Sequence, residues 1–385
     1  MATRILFTGA AGRVGREAIA KLKRTAPEAF HIRACCRDGE FSAKADALRS
    51  IGADKVVRFD FADATTYENA LDNVHQIYHC SPDPSSTSLE LAQQQMEFSR
   101  AIKTSESRDQ MTLIVRLSCI GVNTLDHSYT DDDLISGAPK INTRVPHIIR
   151  TYATTERLLM ETGVPVTSLR GGFFMNHMIK GDAARILGQE TVPQQDSVGP
   201  EYTQGNSFVL PFGETRRAEI SAVDIGEAVA NIFLDERHHG GGDKIGKASH
   251  AGQLYTLTGR EALTMHDIAY FLRRAANNQN IHYCPATDGG KSFAQRIGET
   301  RWHFLKWLMS DSKRIADLHE EFQLGGHRYV HSGDLCGPGA TLAEFCSNDI
   351  VSILGRKQLS YFDHLIKRHS CGQTGLQSLK MGEDL

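Results

Sequence analysis

The 385-residue chain has no apolar run approaching the roughly 18 residues that a membrane-crossing helix requires. It also lacks an excess of either charge: 43 Lys and Arg stand against 46 Asp and Glu, for a formal net charge of -3. That balance argues against a general polyanion-binding surface, so nucleic acid is not an expected partner. Eight cysteines are scattered with no C-x-x-C pair, and two are the neighbours Cys35 and Cys36 inside an apolar stretch. Thiols in that pattern read as reduced and mostly buried. The N-terminus enters an apolar strand at once, with no charged leader or hydrophobic core before it. Together these features predict a cytoplasmic protein without membrane association. Zinc-helix spacing is missing too: "HEEFQ" at 319–323 has no second histidine, and His327 and His331 lie between glycines that disfavour a helix. No metal is expected. Internal repeats and low-complexity tracts are absent.

What is present begins with "RILFTGAAGRVGREAIAKL" at 4–22. Ile5, Leu6 and Phe7 read as a buried strand, and Val14, Ala18 and Leu22 recur at helical spacing. Between them lies a turn with glycines at 9, 12 and 15. In a dinucleotide-binding turn, Gly9 takes the positive φ of a tight bend and Gly12 lets backbone N–H groups approach a phosphate. Gly15 lets the helix pack on the strand. The pyrophosphate then sits at the helix N-terminus, against Arg13, Val14 and their neighbours. A plain Gly-rich loop would carry the same triplet. Here a strand precedes it, a helix follows, and a second apolar strand, "HIRACCR", ends where a cofactor ribose belongs. At that end stands Arg37, before Asp38. A base accommodates a 2′-phosphate, so NADPH is expected over NADH, with Arg13 as a second guanidinium. Both arginines are otherwise solvated surface charges.

Short apolar strands at 55–60, 76–80, 113–118 and 166–170 alternate with helical stretches. This predicts an α/β fold: a doubly wound, Rossmann-type parallel sheet with helices on both faces. Ligands of such sheets lie beyond the carboxyl ends of the strands. Asp60, Phe61, Cys80, Ser81, Ser118 and the residues after Arg170 should therefore share one crevice, with Asp60 and Phe61 beside the adenine. Residues 122–146 and 188–207 break the alternation with long polar segments, of the length typical of lids or surface loops. "RRAEISAVDIGEAVANIFLD" from 216 then returns to a strand and a helix. "LTMHDIAYFLRRAA" has Thr264 as a candidate N-cap with Asp267 three residues on, and an inner face of Ile268, Phe271 and Leu272. Residues 295–370 read as mainly helical. The expected division is a nucleotide-binding lobe over 1–185 with a returning contribution from about 216–258. A smaller α+β substrate lobe comprises 186–215 and 259–370, and 371–385 forms a tail.

The chain resembles the NmrA-like branch of the atypical short-chain dehydrogenase/reductase superfamily. The resemblance rests on "FTGAAGRVGREA", Arg37, "FDFAD", "RLSCIG", "TYATTERLLMETGVPVTSLRGGFFMNH", "AEISAVDIGEAVANIFLD" and "YTLTGREALTMHDIAYFLRRA", in order from residue 3 to about 283. "ILGRKQLSYFDHLIKRH" looks like the closing helix. The resemblance implies a Rossmann lobe, a smaller C-terminal substrate lobe, and NADPH as cofactor. Its members include reductases of quinones, dyes, iminium ions and natural products, and regulators that bind NADP without catalysis.

In the wider superfamily a Tyr donates the proton and a Lys four residues later depresses its pKa. None of the ten tyrosines here has that lysine. Tyr152 is the nearest counterpart, and Glu156 stands at the lysine position. A carboxylate there would raise a phenol's pKa. Candidate proton donors or electrophile-stabilising groups are Tyr152, His147, whose side-chain class suits acid/base work, and Ser118, which matches the family's post-strand serine. Phe173, Phe174, Met175 and Asn176 are expected to wall a pocket for a planar substrate, or else to form plain core. The reading is an NADPH-dependent reductase of a hydrophobic conjugated small molecule. Two rivals stay open: a redox-sensing NADP-binding regulator, and a non-redox isomerase or cyclase scaffolded by its cofactor.

Overall fold

The computed structural model describes residues 2–82, 88–122, 146–175, 207–239, 250–310 and 349–367. Seven parallel strands form one sheet in the order β3-β2-β1-β4-β5-β6-β8. They are β1 (Thr3–Phe7), β2 (Phe30–Cys36), β3 (Lys55–Arg58), β4 (Gln76–His79), β5 (Leu113–Cys119), β6 (Val166–Gly171) and β8 (Leu254–Leu257). Strands buried on both faces need runs of apolar residues, as in "ILF" of β1 and "LIV" of β5, and parallel neighbours need helical crossovers. The strand order reverses between β1 and β4, which is where such sheets take a nucleotide.

The crossover helices are α1 (Arg13–Thr25), α2 (Ala43–Ser50), α3 (Tyr67–Leu71), α4 (Ser88–Thr104), α5 (His147–Met160) and α6 (Ala222–His239). Helix α1 buries Val14, Ala18, Ile19 and Leu22, and α6 lies directly against it. Their approach centres on Gly226, where a Cβ would stand 2.5 Å from Glu17 Cβ and 2.9 Å from the Val14 carbonyl. On the opposite face, Phe59, Phe61, Tyr67 and Phe98 pack edge to face beneath α3 and α4.

The C-terminal part builds a third core. Strand β7 (Ser207–Leu210) pairs in parallel with β9 (His282–Pro285). Around this pair lie α7 (Met265–Ala276), α8 (Lys291–Ile297) and α9 (Glu299–Ser310), which share a core of Phe208, Phe212, Leu263, Ile268, Trp302 and Leu308. Helix α7 starts as the sequence requires. Thr264 accepts from the Asp267 N–H at 3.2 Å, and Asp267 accepts from the Thr264 N–H at 2.9 Å. Helix α10 (Asp349–Leu354) packs on α6 and β8. Helix α11 (Tyr361–Ile366) reaches back to the centre: the Tyr361 hydroxyl donates to the Met175 carbonyl at 2.5 Å, and Ser221 Oγ lies 2.8 Å from His364 Nδ1.

The segment from 216 departs from the strand expected of it. Ile220 bridges Phe174 and Arg217 bridges Leu263, without a continuous ladder. The long polar segments, the two histidine stretches near 319–331 and the residues after 367 lie outside the described residues, apart from the ends of those segments at 122, 146 and 207.

Candidate functional site

The glycine turn closes against β4. A Cβ on Gly9 would stand 2.6 Å from Cys80 Cβ, and one on Gly15 would stand 2.2 Å from the Gly9 carbonyl oxygen. Gly9 is thus held to glycine by the Cys80 side chain. It does not adopt the positive φ expected of it; what excludes a side chain there is the closeness of β1 and β4 at the switch point. Thr8 Oγ1 fixes this seam by accepting from the Cys80 N–H at 3.0 Å. Helix α1 then begins at Arg13 with Gly12 as N-cap, with no side-chain cap bond and no acid in its first turn. First-turn N–H donors lack intrahelical acceptors, and the helix dipole favours negative charge there. An uncapped helix end beside a cradle that excludes Cβ atoms fits a diphosphate.

At the end of β2, Arg37 is 69% exposed and its Nε lies 3.4 Å from Asp60 Oδ2. Asp38, the acid that could have taken a ribose hydroxyl, is turned to Lys44 Nζ at 3.0 Å. Phe61 is buried in the aromatic cluster, with its ring 5.6 Å from His79. Ser81 is half-buried after β4, and its carbonyl lies 3.7 Å from Cys80 Sγ.

Deeper in the crevice, α5 lies across β5 and β6. Tyr152 and Glu156 are one turn apart on α5. Glu156 is buried and clamped by Arg170, with Nε to Oε1 at 3.2 Å and Nη2 to Oε2 at 2.6 Å. Burial pushes the Glu156 carboxyl up. The charge and hydrogen bonds of Arg170, with Ser118 and Arg116, more than reverse this and hold it below the usual carboxylate range. Ser118 is buried on β5, register partner of Arg170. Arg116, two residues earlier on the same face, is wholly buried. Its guanidinium lies 5.5 Å from the Tyr152 ring centroid, and its Nη1 lies 2.7 Å from His79 Nδ1. Arginine only donates, so His79 Nδ1 is the acceptor. Burial and then Arg116 hold His79 far below its ordinary range, so it is neutral.

A family of proteins described as NAD(P)H-binding matches residues 9–199. Quinone oxidoreductase 2 of Escherichia coli (strain K12) is 23% identical over 275 residues, 71% of this chain and 75% of that protein. Citrobacter sp. triphenylmethane reductase, solved with NADP(H), superposes with a TM-score of 0.59 at 14% identity, covering 99% of this chain and 100% of that one. NmrA, a negative transcriptional regulator solved with NADP, superposes with a TM-score of 0.55 at 13% identity, covering 100% and 98%.

The match to the NAD(P)H-binding family covers just under half of the chain, and the chain shares its fold with these reductases and with NmrA. Within that frame, the carboxyl ends of β1, β4, β5 and β6 bring Gly9, Cys80, Arg116, Ser118, Tyr152 and Glu156 into one region. His147, first residue of α5, is five positions before Tyr152 and so about 140° around the helix from it. Its imidazole is lowered by burial. Phe173 and Met175 are buried in the C-terminal core, while half-buried Phe174 packs with the sheet core. Asn176 lies outside the described residues.

Two residues here were not singled out from the sequence. Arg116 is a lone charge inside the apolar run "LIVRLS", and that interruption of a buried strand is a readable signal. His79, the last residue of β4, interrupts "QIYHC" in the same way. The effect expected of Glu156 on Tyr152 also changes. Its charge is taken by Arg170, and the ion lying over the Tyr152 ring is a cation.

Among the described residues no helix is long and apolar enough to cross a membrane, and no group of three or more His, Cys, Asp or Glu is placed to hold a metal ion.

Proposed function

We propose that this protein is an NADPH-dependent reductase of a hydrophobic conjugated small molecule, of the quinone, enone or iminium type. One juxtaposition carries the reading: the glycine cradle and the Tyr152 cluster meet at the carboxyl ends of adjacent strands, so a dinucleotide and an ionisable hydroxyl share one crevice. The likeness to quinone oxidoreductase 2 supports the same class. Bound NADPH supplies the hydride, and with one proton a quinone then becomes a hydroquinone as NADP⁺ forms.

The chain's own part is orientation and the proton. The first turn of α1, with Arg13 and Val14, holds the diphosphate. Arg37 receives the 2′-phosphate, and its exposed guanidinium can leave Asp60 to do so. Asp60 and Phe61 border the adenine side, while Cys80 and Ser81 line the seam. Tyr152 is the proton donor, Ser118 lies next to Glu156, and His147 is the first residue of α5. Phe174, half-buried at the start of the following loop, contributes to an apolar wall.

The test is a titration with NADPH and NADH, followed by loss of NADPH absorbance against a panel of quinones, enones and iminium ions. Turnover is expected with at least one class. Arg37→Glu should weaken NADPH binding by about tenfold or more while leaving NADH nearly unchanged, since only NADPH carries the phosphate. Equal loss for both cofactors would sink the assignment of Arg37.

A specific observation favours a second reading, a redox-sensing regulator: the lysine position holds Glu156, locked to Arg170. Tight binding that discriminates NADPH from NADP⁺, with no turnover on the panel, would establish it.

A further inference from the structure

Arg116 is more than a partner for His79. Its side chain is wholly buried, and Nε and Nη2 have no hydrogen-bond partner among the described residues. Leaving such donors buried and unpaired is expensive, and burying an uncompensated cation more so. Among the described residues the local charges do not cancel. Two guanidinium groups, Arg116 and Arg170, share one carboxylate, Glu156, and Arg170 holds that carboxylate through two hydrogen bonds.

Among the described residues, the other titratable groups facing Arg116 are not carboxylates. From β4, Tyr78 is pushed far up and His79 far down, both chiefly by burial, so each is neutral near pH 7. From β5, Cys119 is pushed up to about 12 by burial and stays a thiol. Cys80, after β4, is half-buried at the glycine seam. From α5, Tyr152 presents its ring to the guanidinium at 5.5 Å. The two groups are also coupled by charge, Tyr152 favouring the protonated form of Arg116, and a nearby opposite charge favours the ionised form of a titrating group.

We propose that Arg116 is a positioning residue for proton transfer: its buried cation stabilises the Tyr152 oxyanion and so fills the role of the lysine that Glu156 replaces. The inference takes Tyr152 as proton donor from the reductase reading, but the ionisation it describes belongs to the protein alone and is measurable without turnover.

The experiment compares the tyrosinate ultraviolet absorbance of the full chain with that of Tyr152→Phe across alkaline pH. The difference isolates the ionisation of Tyr152. The wild-type midpoint is expected below the ordinary tyrosine value of about 10. Arg116→Gln should move it up by about one pH unit or more, a tenfold weaker acid, and Arg116→Lys should restore most of the shift.

Where turnover is present, Tyr152 must hold its proton to act. The alkaline limb of kcat/KM then lies at the Tyr152 midpoint and moves to higher pH in Arg116→Gln. A merely structural Arg116 would lower stability and leave the midpoint in place.

A wild-type midpoint at or above about 10 overturns the proposal even if Arg116→Gln does not fold. So does an Arg116→Gln variant whose midpoint is unmoved, or one that shifts only the alkylation pH profile of Cys80. Absence of turnover with a depressed midpoint would instead remove the reductase reading and leave this inference standing.

Discussion

At positions 9 and 15 the space available to one methyl group decides whether the cradle closes. Gly15→Ala would set its methyl 2.2 Å from the Gly9 carbonyl, a backbone atom that has nowhere to go, so the turn must open. The expected result is a loss of about 1–3 kcal/mol of stability, as for other overpacked sites, together with weaker NADPH binding. A thermal melt and a cofactor titration check both. Gly9→Ala meets a side chain instead, Cys80 Cβ at 2.6 Å. Cys80→Gly in the same chain should therefore recover part of what Gly9→Ala loses, a coupling that two independent defects would not show. The spacing of these glycines is legible in the sequence because it is local. That Gly9 is constrained by Cys80, seventy-one residues later, is not legible, because it depends on which strands become neighbours.

At the scale of elements, the Glu156–Arg170 pair ties α5 to β6. Glu156→Gln should destabilise the fold by about 3–5 kcal/mol, because it leaves Arg170 buried without its counter-charge. The pH dependence has a defined sign. Glu156 is held below its ordinary value in the folded protein, so its contribution is complete above about pH 4.3 and is lost as the pH falls through the lower folded value. Glu219 and Asp224 are raised by burial and act with the opposite sign, so the difference between wild type and Glu156→Gln is the quantity to follow. Urea unfolding of both proteins at a series of acidic pH values should show that difference shrinking, and a constant gap would refute the assignment.

Element legibility followed the same division between near and far. Alternation of apolar runs and helical stretches placed the first six strands of the sheet, and Thr264 and Asp267 marked the start of α7 from a local pattern. The β7–β9 pair escaped because each strand has four residues and its partner lies some seventy residues away. Gly226 carries no sign in the sequence that it seats α6 on α1.

For the whole molecule, the buried positive cluster under α5 predicts how the fold answers acid. His79 is wholly buried, accepts from Arg116 and is held neutral, chiefly by burial. Its folded value lies far below the ordinary 6.5, so the unfolded chain takes up a proton near that pH while the folded chain does not. Stability from this group is complete above about pH 6.5 and falls below it, by about 1.4 kcal/mol per pH unit per proton. His75 and His147 are lowered in the same direction, first by burial, and add to the slope at the start of the acid limb. His79→Gln keeps an acceptor for Arg116 but removes the proton uptake. Its unfolding free energy should therefore fall less steeply than that of the wild type between about pH 6.5 and pH 5. Parallel curves would mean that His79 titrates alike in both states, and the cluster would then lack the sealed, cation-bearing interior on which the role of Arg116 depends.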